Sequence, residues 1–356
     1  MMSEFLNKRY STLDAYVPGE QPKDGEYIKL NTNESPFEPS DGVIKAVNSE
    51  EVKKLRLYSD PTGKALKEKI ADLYGVKDEN VYLANGSDDI LNFSFMAFTG
   101  EKGEAVYPEI SYGFYKVFAA LYGVKAEEIP LKDDFSIDYK DYLNKNKFIV
   151  IANPNAPTGL TLSLREIEEI VKTNPKNVVV IDEAYVDFGA QSAVPLTKKY
   201  KNLLVSMTFS KSRSMAGARL GFAIGNKELI SDLELIKYST NPYNINRLTL
   251  IAGAAAIDQN DYYVQKCGEI IKNREYTATE LKKLGFTVTD SKANFVFAES
   301  KDIDGEALYK KLKERRILIR HFSAPKICNF NRITIGTREQ MEEFIKNVKE
   351  ILEEVK

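Results

Sequence analysis

The stretch Val178-Val179-Val180-Ile181-Asp182-Glu183-Ala184-Tyr185 decides the fold. Four consecutive β-branched apolar residues leave no polar face. A strand built from them must be covered on both sides, and such strands belong to largely parallel sheets flanked by helices. The acid that follows, Asp182, then stands at the C-terminal end of a buried strand, where open α/β sheets place their ligands. As an isolated feature, Asp182 could also serve as an ordinary helix N-cap. Comparable runs lie on either side. Residues 81–83, 104–107, 125–129, 148–152, 178–182, 203–208 and 220–224 give seven candidate strands, separated by segments of helical periodicity. The expectation is an α/β fold with a mainly parallel seven-stranded sheet. The helix after Pro157-Thr158-Gly159 is announced by a capping box, Ser163 with Glu166, ahead of the apolar stripe Leu164, Ile167, Ile170 and Val171.

From about residue 241 the pattern changes. One long helical stretch, roughly 246 to 284, leads into short apolar runs at 286–288, 294–298, 317–320 and 332–335. A last helix opens with a second capping box, Thr337 with Gln340. This mixture reads as a smaller α+β domain. A chain of 356 residues is long enough for more than one core of ordinary size. The expected division is a large domain over 35–245 and a small one formed by 1–34 together with 246–356.

Composition removes several function classes. Lys and Arg number 50 against 52 Asp and Glu, so the basic excess of a nucleic-acid binder is missing and no nucleic-acid partner is expected. The longest apolar runs, at 148–152 and 178–181, fall far short of the roughly 18 residues a membrane helix needs. There is one histidine, His321, which excludes zinc sites built on paired histidines and any His-dependent triad that does not use it. No metal is expected. Cys267 and Cys328 form no spaced redox or metal motif, which suits a reducing cytoplasm. Residues 1–16 carry Glu4, Lys8 and Arg9 and lack the apolar core of a secretory leader.

The residues that can carry chemistry cluster after the candidate strands. Thr208-Phe-Ser-Lys-Ser-Arg-Ser-Met-Ala-Gly-Ala-Arg-Leu-Gly-Phe222 places Lys211 just past a buried strand, where partial desolvation lowers an amine's pKa and makes it a usable nucleophile. Ser210 and Arg219 could bind a phosphate beside it. Taken alone, the Ser-Lys pair also describes a common surface loop. Asn85-Gly86-Ser87-Asp88 precedes a helix, and free N–H groups at a helix start hold phosphate well. Asp182 at its strand end needs a cationic partner, and a protonated pyridine nitrogen would serve. Asn153-Pro-Asn155-Ala-Pro157-Thr-Gly159 follows one strand and precedes a capped helix, while Tyr112 and Tyr58 complete the candidates.

In this order and spacing the motifs resemble those of the fold-type I pyridoxal-phosphate enzymes over essentially the whole chain. More narrowly, the chain is similar to the histidinol-phosphate aminotransferase family. The narrower likeness rests on Tyr16-Val-Pro-Gly, Ile28-Lys-Leu-Asn-Thr-Asn-Glu34-Ser-Pro36, Tyr58-Ser-Asp-Pro-Thr-Gly63, Asn85-Gly-Ser-Asp88, Val180-Ile-Asp-Glu-Ala-Tyr-Val-Asp-Phe188 and Arg332-Ile-Thr-Ile-Gly-Thr-Arg338. The resemblance implies an aspartate-aminotransferase-like fold, pyridoxal 5'-phosphate as cofactor, small-molecule amino and keto acids as substrates, and a cytoplasmic homodimer. It implies that Lys211 carries the cofactor, that Asp182 pairs with its ring nitrogen and Tyr185 with its ring hydroxyl, and that Tyr112 stacks on the ring. Ser87, Asp88, Ser210 and Arg219 would hold its phosphate, with Tyr58 reaching it from a partner subunit. Arg332 would bind a substrate carboxylate and Arg320 a substrate phosphate, with Tyr16 and Asn33 also at the substrate. Two departures stand out. Ala156 occupies the place directly before Pro-Thr-Gly where the family carries an asparagine, which leaves Asn155 as the candidate amide. Ser-Arg-Ser-Met follows Lys211 where Ala-Phe-Gly-Leu is common. An aromatic amino-acid aminotransferase or a lyase decarboxylating threonine phosphate would share the cofactor residues. A cofactor-binding regulator without turnover would need a further DNA-binding domain.

Overall fold

The computed structural model describes residues 10, 13, 14, 16–100 and 103–355. The segment 1–9, with Glu4, Lys8 and Arg9, lies outside them. Among the described residues there are twelve strands: β1 Ile28–Leu30, β2 Val81–Ala84, β3 Glu104–Pro108, β4 Lys125–Ile129, β5 Phe148–Ala152, β6 Val179–Asp182, β7 Leu203–Thr208, β8 Gly221–Gly225, β9 Phe286–Val288, β10 Phe295–Ser300, β11 Ile317–His321 and β12 Asn331–Thr334. They form a seven-stranded sheet ordered β2-β8-β7-β6-β5-β3-β4 and a five-stranded sheet ordered β1-β11-β12-β10-β9.

In the larger sheet the neighbours from β4 through β7 pair in parallel, and β8 runs antiparallel to both β7 and β2. Its central strands are buried on both faces, as their unbroken apolar runs require. Alternation along each strand divides the side chains between two cores. Ile149, Ile151, Val179, Ile181, Leu203, Val205 and Met207 point into one, and Phe148, Val150, Ala152, Val180 and Leu204 into the other. The edge strand β4 carries Lys125, Glu127 and Glu128, mostly exposed, which blunts an edge that could otherwise recruit another strand. The capping box is present: Ser163 caps the helix Leu164–Thr173, and Glu166 reaches back to the Ser163 backbone N–H (2.8 Å). The large sheet is thus the mainly parallel seven-stranded α/β sheet the sequence led us to expect.

The smaller sheet differs from expectation in two ways. Its edge includes β1, which pairs in parallel with β11 through Ile28–Ile317 and Leu30–Ile319, although a three-residue strand carries no readable periodicity. The stretch from 246 to 284 is two helices, Arg247–Asp258 and Asn260–Lys283, interrupted at Gln259. The first buries Ala252, Ala256 and Ile257 in a core of the larger sheet. The second begins there with Tyr263 and ends in the small-sheet core with Cys267, Ile270 and Leu281. We propose that the division between domains lies within helix Asn260–Lys283 rather than at 246. No described helix is long and apolar enough to cross a membrane.

Candidate active site

The C-terminal ends of β5, β6 and β7, the turn after β2 and the loop after β3 converge on one cavity, lined among others by Ser87, Asp88, Tyr112, Ala156, Asp182, Tyr185, Thr208, Ser210, Lys211 and Arg219. Asp182 ends β6 on the same face as Val180 and is 4% exposed. Its Oδ2 accepts from the Tyr115 hydroxyl (2.9 Å), while Oδ1 is buried without a partner. Burial raises its pKa to about 6, against the pull of the Tyr115 bond. A buried carboxylate with one satisfied oxygen is a site prepared for a cationic N–H donor.

Lys211 follows β7 and the buried Ser210. Its Nζ donates to the Thr32 carbonyl (3.2 Å), and burial, reinforced by the nearby Arg332 guanidinium, lowers its pKa to about 8. At neutral pH a useful fraction is therefore a free amine. Thr208 Oγ1 donates to Ser210 Oγ (3.0 Å), fixing that hydroxyl beside the lysine.

The helix Ser87–Phe98 starts at the cavity with no side chain capping its N-terminus, so its first N–H groups are available to an anion. Arg219 flanks it, with Nη2 on Asp88 Oδ2 (3.0 Å) and its backbone in the left-handed region at φ 54°. The neighbouring β8 comes so close that a Cβ on Gly221 would stand 2.6 Å from the Ser87 nitrogen. Only glycine permits that approach. The Tyr112 hydroxyl donates to Asp88 Oδ1 (2.7 Å) and its ring borders the cavity.

The remaining expected residues fall in different places. Tyr16 stacks on Phe114 with ring centroids 4.3 Å apart and lies 6.5 Å from the Tyr112 ring. Arg332 sends Nη2 to the Asn31 carbonyl (3.0 Å) and lies over the Phe295 ring, but its buried Nε has no partner. Arg320 stands directly opposite Arg332 in the β11–β12 register, and both guanidinium groups lie 5.9 Å from the Phe322 ring. Like charges facing each other across a strand pair are unfavourable unless an anion joins them. Arg320 itself lines a separate pocket with Glu20, Tyr309 and His321. Tyr58 is 79% exposed, stacked on Tyr243, and does not line the cavity of its own chain.

Two expectations are corrected. Asn155 does not line the cavity: its Nδ2 serves the Ile110 carbonyl and Thr158, and its Oδ1 accepts from Ser111. The lining position belongs to the Ala156 methyl. Asn33 is not presented to a substrate either: it is 1% exposed and its side chain bridges Thr334 and Tyr185. The sequence reading missed Tyr115, Thr208 and the cavity-lining pair Thr32 and Glu34. The acid at the end of β6 was a signal that some donor must face it, though not which one. Glu183, next to Asp182, points elsewhere and holds the Ser192 hydroxyl (2.6 Å) and the Ala193 N–H (2.5 Å).

Residues 25–348 match the family model for aminotransferase class I and II. The chain belongs to the class I and II aminotransferases. The histidinol-phosphate aminotransferase of Brachyspira hyodysenteriae is 53% identical to this aminotransferase over 352 residues, 99% of either chain. The crystal structure of the histidinol-phosphate aminotransferase from Clostridium acetobutylicum superimposes with a TM-score of 0.84 at 27% identity, covering 92% of this chain and 99% of that one. The Sinorhizobium meliloti histidinol-phosphate aminotransferase in complex with pyridoxal-5'-phosphate shares the fold, with a TM-score of 0.85 at 22% identity over 93% and 92% of the two chains.

The cofactor of this aminotransferase is pyridoxal 5'-phosphate, and the cavity fits it. The unpartnered Asp182 Oδ1 matches a protonated ring nitrogen. The uncapped start of helix Ser87–Phe98, with Ser210 and Arg219, matches a phosphate. Lys211 supplies an amine between them.

Proposed function

We propose that this aminotransferase interconverts histidinol phosphate plus 2-oxoglutarate with imidazole-acetol phosphate plus glutamate, a step of histidine biosynthesis. The observation that carries the reading is the pairing of Lys211, its pKa lowered to about 8, with the half-satisfied Asp182 in one cavity beneath an uncapped helix start. Identity of 53% over 99% of a histidinol-phosphate aminotransferase supports the substrate assignment.

When bound, pyridoxal phosphate takes up the electrons released as the donor's Cα–H bond breaks. In our reading Lys211 would hold the cofactor and, as a free amine, would move the donor's Cα proton. Asp182 keeps the ring nitrogen protonated, so that it stabilises negative charge where it develops. Tyr185 would donate to the ring oxygen, and Tyr112 would lie against the ring. The N–H groups of Ser87 and Asp88, with Ser210 and Arg219, hold the phosphate in place. Arg332 takes the carboxylate of glutamate in a charge-assisted bond, and Arg320, opposite it, takes the phosphate of the other substrate. Tyr16, whose ring lies 6.5 Å from that of Tyr112, would contact the substrate. The protein acts as a cytoplasmic homodimer. The exposure of Tyr58 is consistent with its serving a second copy's phosphate site, and the free Cys267 and Cys328 are consistent with a reducing compartment.

The test is a single-turnover screen of the pyridoxal-phosphate-loaded enzyme. Histidinol phosphate and glutamate should each convert the cofactor to its aminated form and yield a keto product. Preference for unphosphorylated aromatic amino acids would replace this reading with an aromatic aminotransferase. Release of carbon dioxide from threonine phosphate would replace it with a lyase.

A further inference from the structure

Asn33 occupies an unusual position for a side chain in a substrate motif. Its backbone is left-handed, at φ 55°, a region asparagine and aspartate enter more readily than other non-glycine residues. Its backbone N–H donates to Thr334 Oγ1 (3.0 Å), and the Thr334 hydroxyl returns a bond to Asn33 Oδ1 (2.9 Å). Its carbonyl accepts from Asn294 Nδ2 (3.0 Å). These bonds fix the polarity of the amide. With Oδ1 committed as an acceptor, Nδ2 faces Tyr185 and donates to its hydroxyl oxygen (3.0 Å). A phenol has one proton and accepts through its oxygen. Because Tyr185 accepts from Asn33, its own proton is free to turn into the cavity.

The same side of the cavity lacks an amide. Ala156 packs in a small cluster with Ala293 and Phe295, against which Tyr185 also lies, and offers only a methyl group. Asn155 is turned toward Ser111, Thr158 and the Ile110 carbonyl. The donor to the cofactor ring oxygen on this side therefore falls to Tyr185.

We propose that Asn33 is a positioning residue: held by Thr334, it sets the Tyr185 phenol as a hydrogen-bond donor toward the cofactor ring oxygen. This rests on the cofactor placement given under Proposed function. A donor to the ring oxygen draws charge from it and weakens its hold on the proton of the neighbouring lysine-linked nitrogen. Losing the donor should raise the pH at which that proton leaves.

The readout is the pH midpoint of the visible absorbance of the pyridoxal-phosphate-loaded enzyme, which needs no turnover. Asn33→Asp keeps size and tolerates the left-handed backbone, but it has no N–H to offer and instead accepts the Tyr185 proton, drawing it away from the ring. The midpoint should rise by about one pH unit, the scale of one hydrogen bond to a charged group. Tyr185→Phe should raise it similarly. In the double variant the Asn33 change should add nothing, because it acts through the phenol. Thr334→Val, which frees the amide to turn, should shift the midpoint in the same direction, and Thr334→Ser should restore it. Asp182, Asp88, Glu34, Arg219 and Arg332, the charged groups facing Lys211 and Tyr185, are unchanged throughout, so their fields are common to every protein compared. An Asn33→Asp shift that persists undiminished in the Tyr185→Phe background is a direct charge effect and overturns the proposal. So does an unmoved midpoint in both Asn33→Asp and Thr334→Val while Tyr185→Phe moves it. If Tyr185→Phe itself leaves the midpoint in place, or Lys211→Ala keeps the titrating band, the cofactor placement fails and takes this proposal with it.

Discussion

Replacing Asp182 with asparagine should have opposite consequences with and without the cofactor. Without it, the carboxylate is 4% exposed, bonded through Oδ2 to Tyr115 and unpartnered at Oδ1. Burial lifts its pKa from the ordinary 3.8 to about 6. The folded pKa lies above the unfolded one, so the folded state holds its proton longer. That contribution to stability is fully present below pH 3.8 and is lost as pH rises through about 6. The gap between the two values corresponds to about 3 kcal/mol at most. Cofactor-free wild type should thus lose up to about 3 kcal/mol relative to Asp182→Asn between pH 4 and pH 7. Denaturant melts of both apoproteins across that range measure it. With the cofactor bound the order reverses. The carboxylate gains a cationic N–H on Oδ1 and an amide does not, so turnover should fall about 10²- to 10³-fold, the scale of about 3–4 kcal/mol lost from a preorganised electrostatic group. Apoprotein melts that stay parallel at every pH would refute the claim that this carboxylate is strained by burial. Turnover within a few-fold of wild type would mean that another residue pairs with the ring nitrogen.

Other perturbations separate the remaining roles. Lys211→Ala should lose the cofactor attachment that borohydride makes permanent in wild type, read by mass spectrometry of the reduced protein; full labelling elsewhere would move the attachment site. Arg332→Ala should impair glutamate and every other carboxylate donor, whereas Arg320→Ala should chiefly raise the KM of phosphorylated substrates; identical substrate profiles for the two variants would dissolve the distinction. Mixing Tyr58→Ala with Lys211→Ala subunits should recover activity above the average of the parents, since one site of the mixed dimer has an intact Lys211 and receives an intact Tyr58. Strict averaging after proven subunit exchange would confine Tyr58 to its own chain. Ser163→Ala should cost about 1 kcal/mol of stability through loss of the cap on helix Leu164–Thr173, with turnover unaffected.

Where local chemistry dictates the outcome, the sequence was readable. All seven strands of the large sheet begin and end within one residue of the expected ranges, six of them on apolar runs and β4 on a charged edge segment. Double-sided burial leaves a mark on every position, and β-branched residues at 178–181 have few other places to go. Both capping boxes formed because their partners are three residues apart. Lys211, Asp182, Ser210 and Arg219 reached one cavity because strand ends of a parallel sheet converge on one edge. Asn155 shows the limit. Its motif announces an amide near the cavity, but the direction of that amide is set by Ser111 and the Ile110 carbonyl, 44 and 45 residues away. Residue type was legible there and orientation was not.

The segment from Ile28 to Glu34 carries the same point further. By itself it is an unremarkable loop with a three-residue strand. In the folded chain it joins the small sheet through β11, gives the Asn31 carbonyl to Arg332, the Thr32 carbonyl to Lys211 and the Asn33 amide to Tyr185. These partners lie 152 to 301 residues away. Each such contact depends on closing a long loop, which costs entropy that only the completed fold offsets. No local pattern can encode it. The two arginines opposite each other on β11 and β12 are placed by the small sheet, the lysine after β7 and the tyrosine after β6 by the large one, and this one segment touches residues of both. A shift of the small sheet would therefore move the Asn31 and Asn33 contacts together, so that the groups proposed to hold substrate and the phenol proposed to donate to the cofactor are mechanically coupled through a single stretch of backbone.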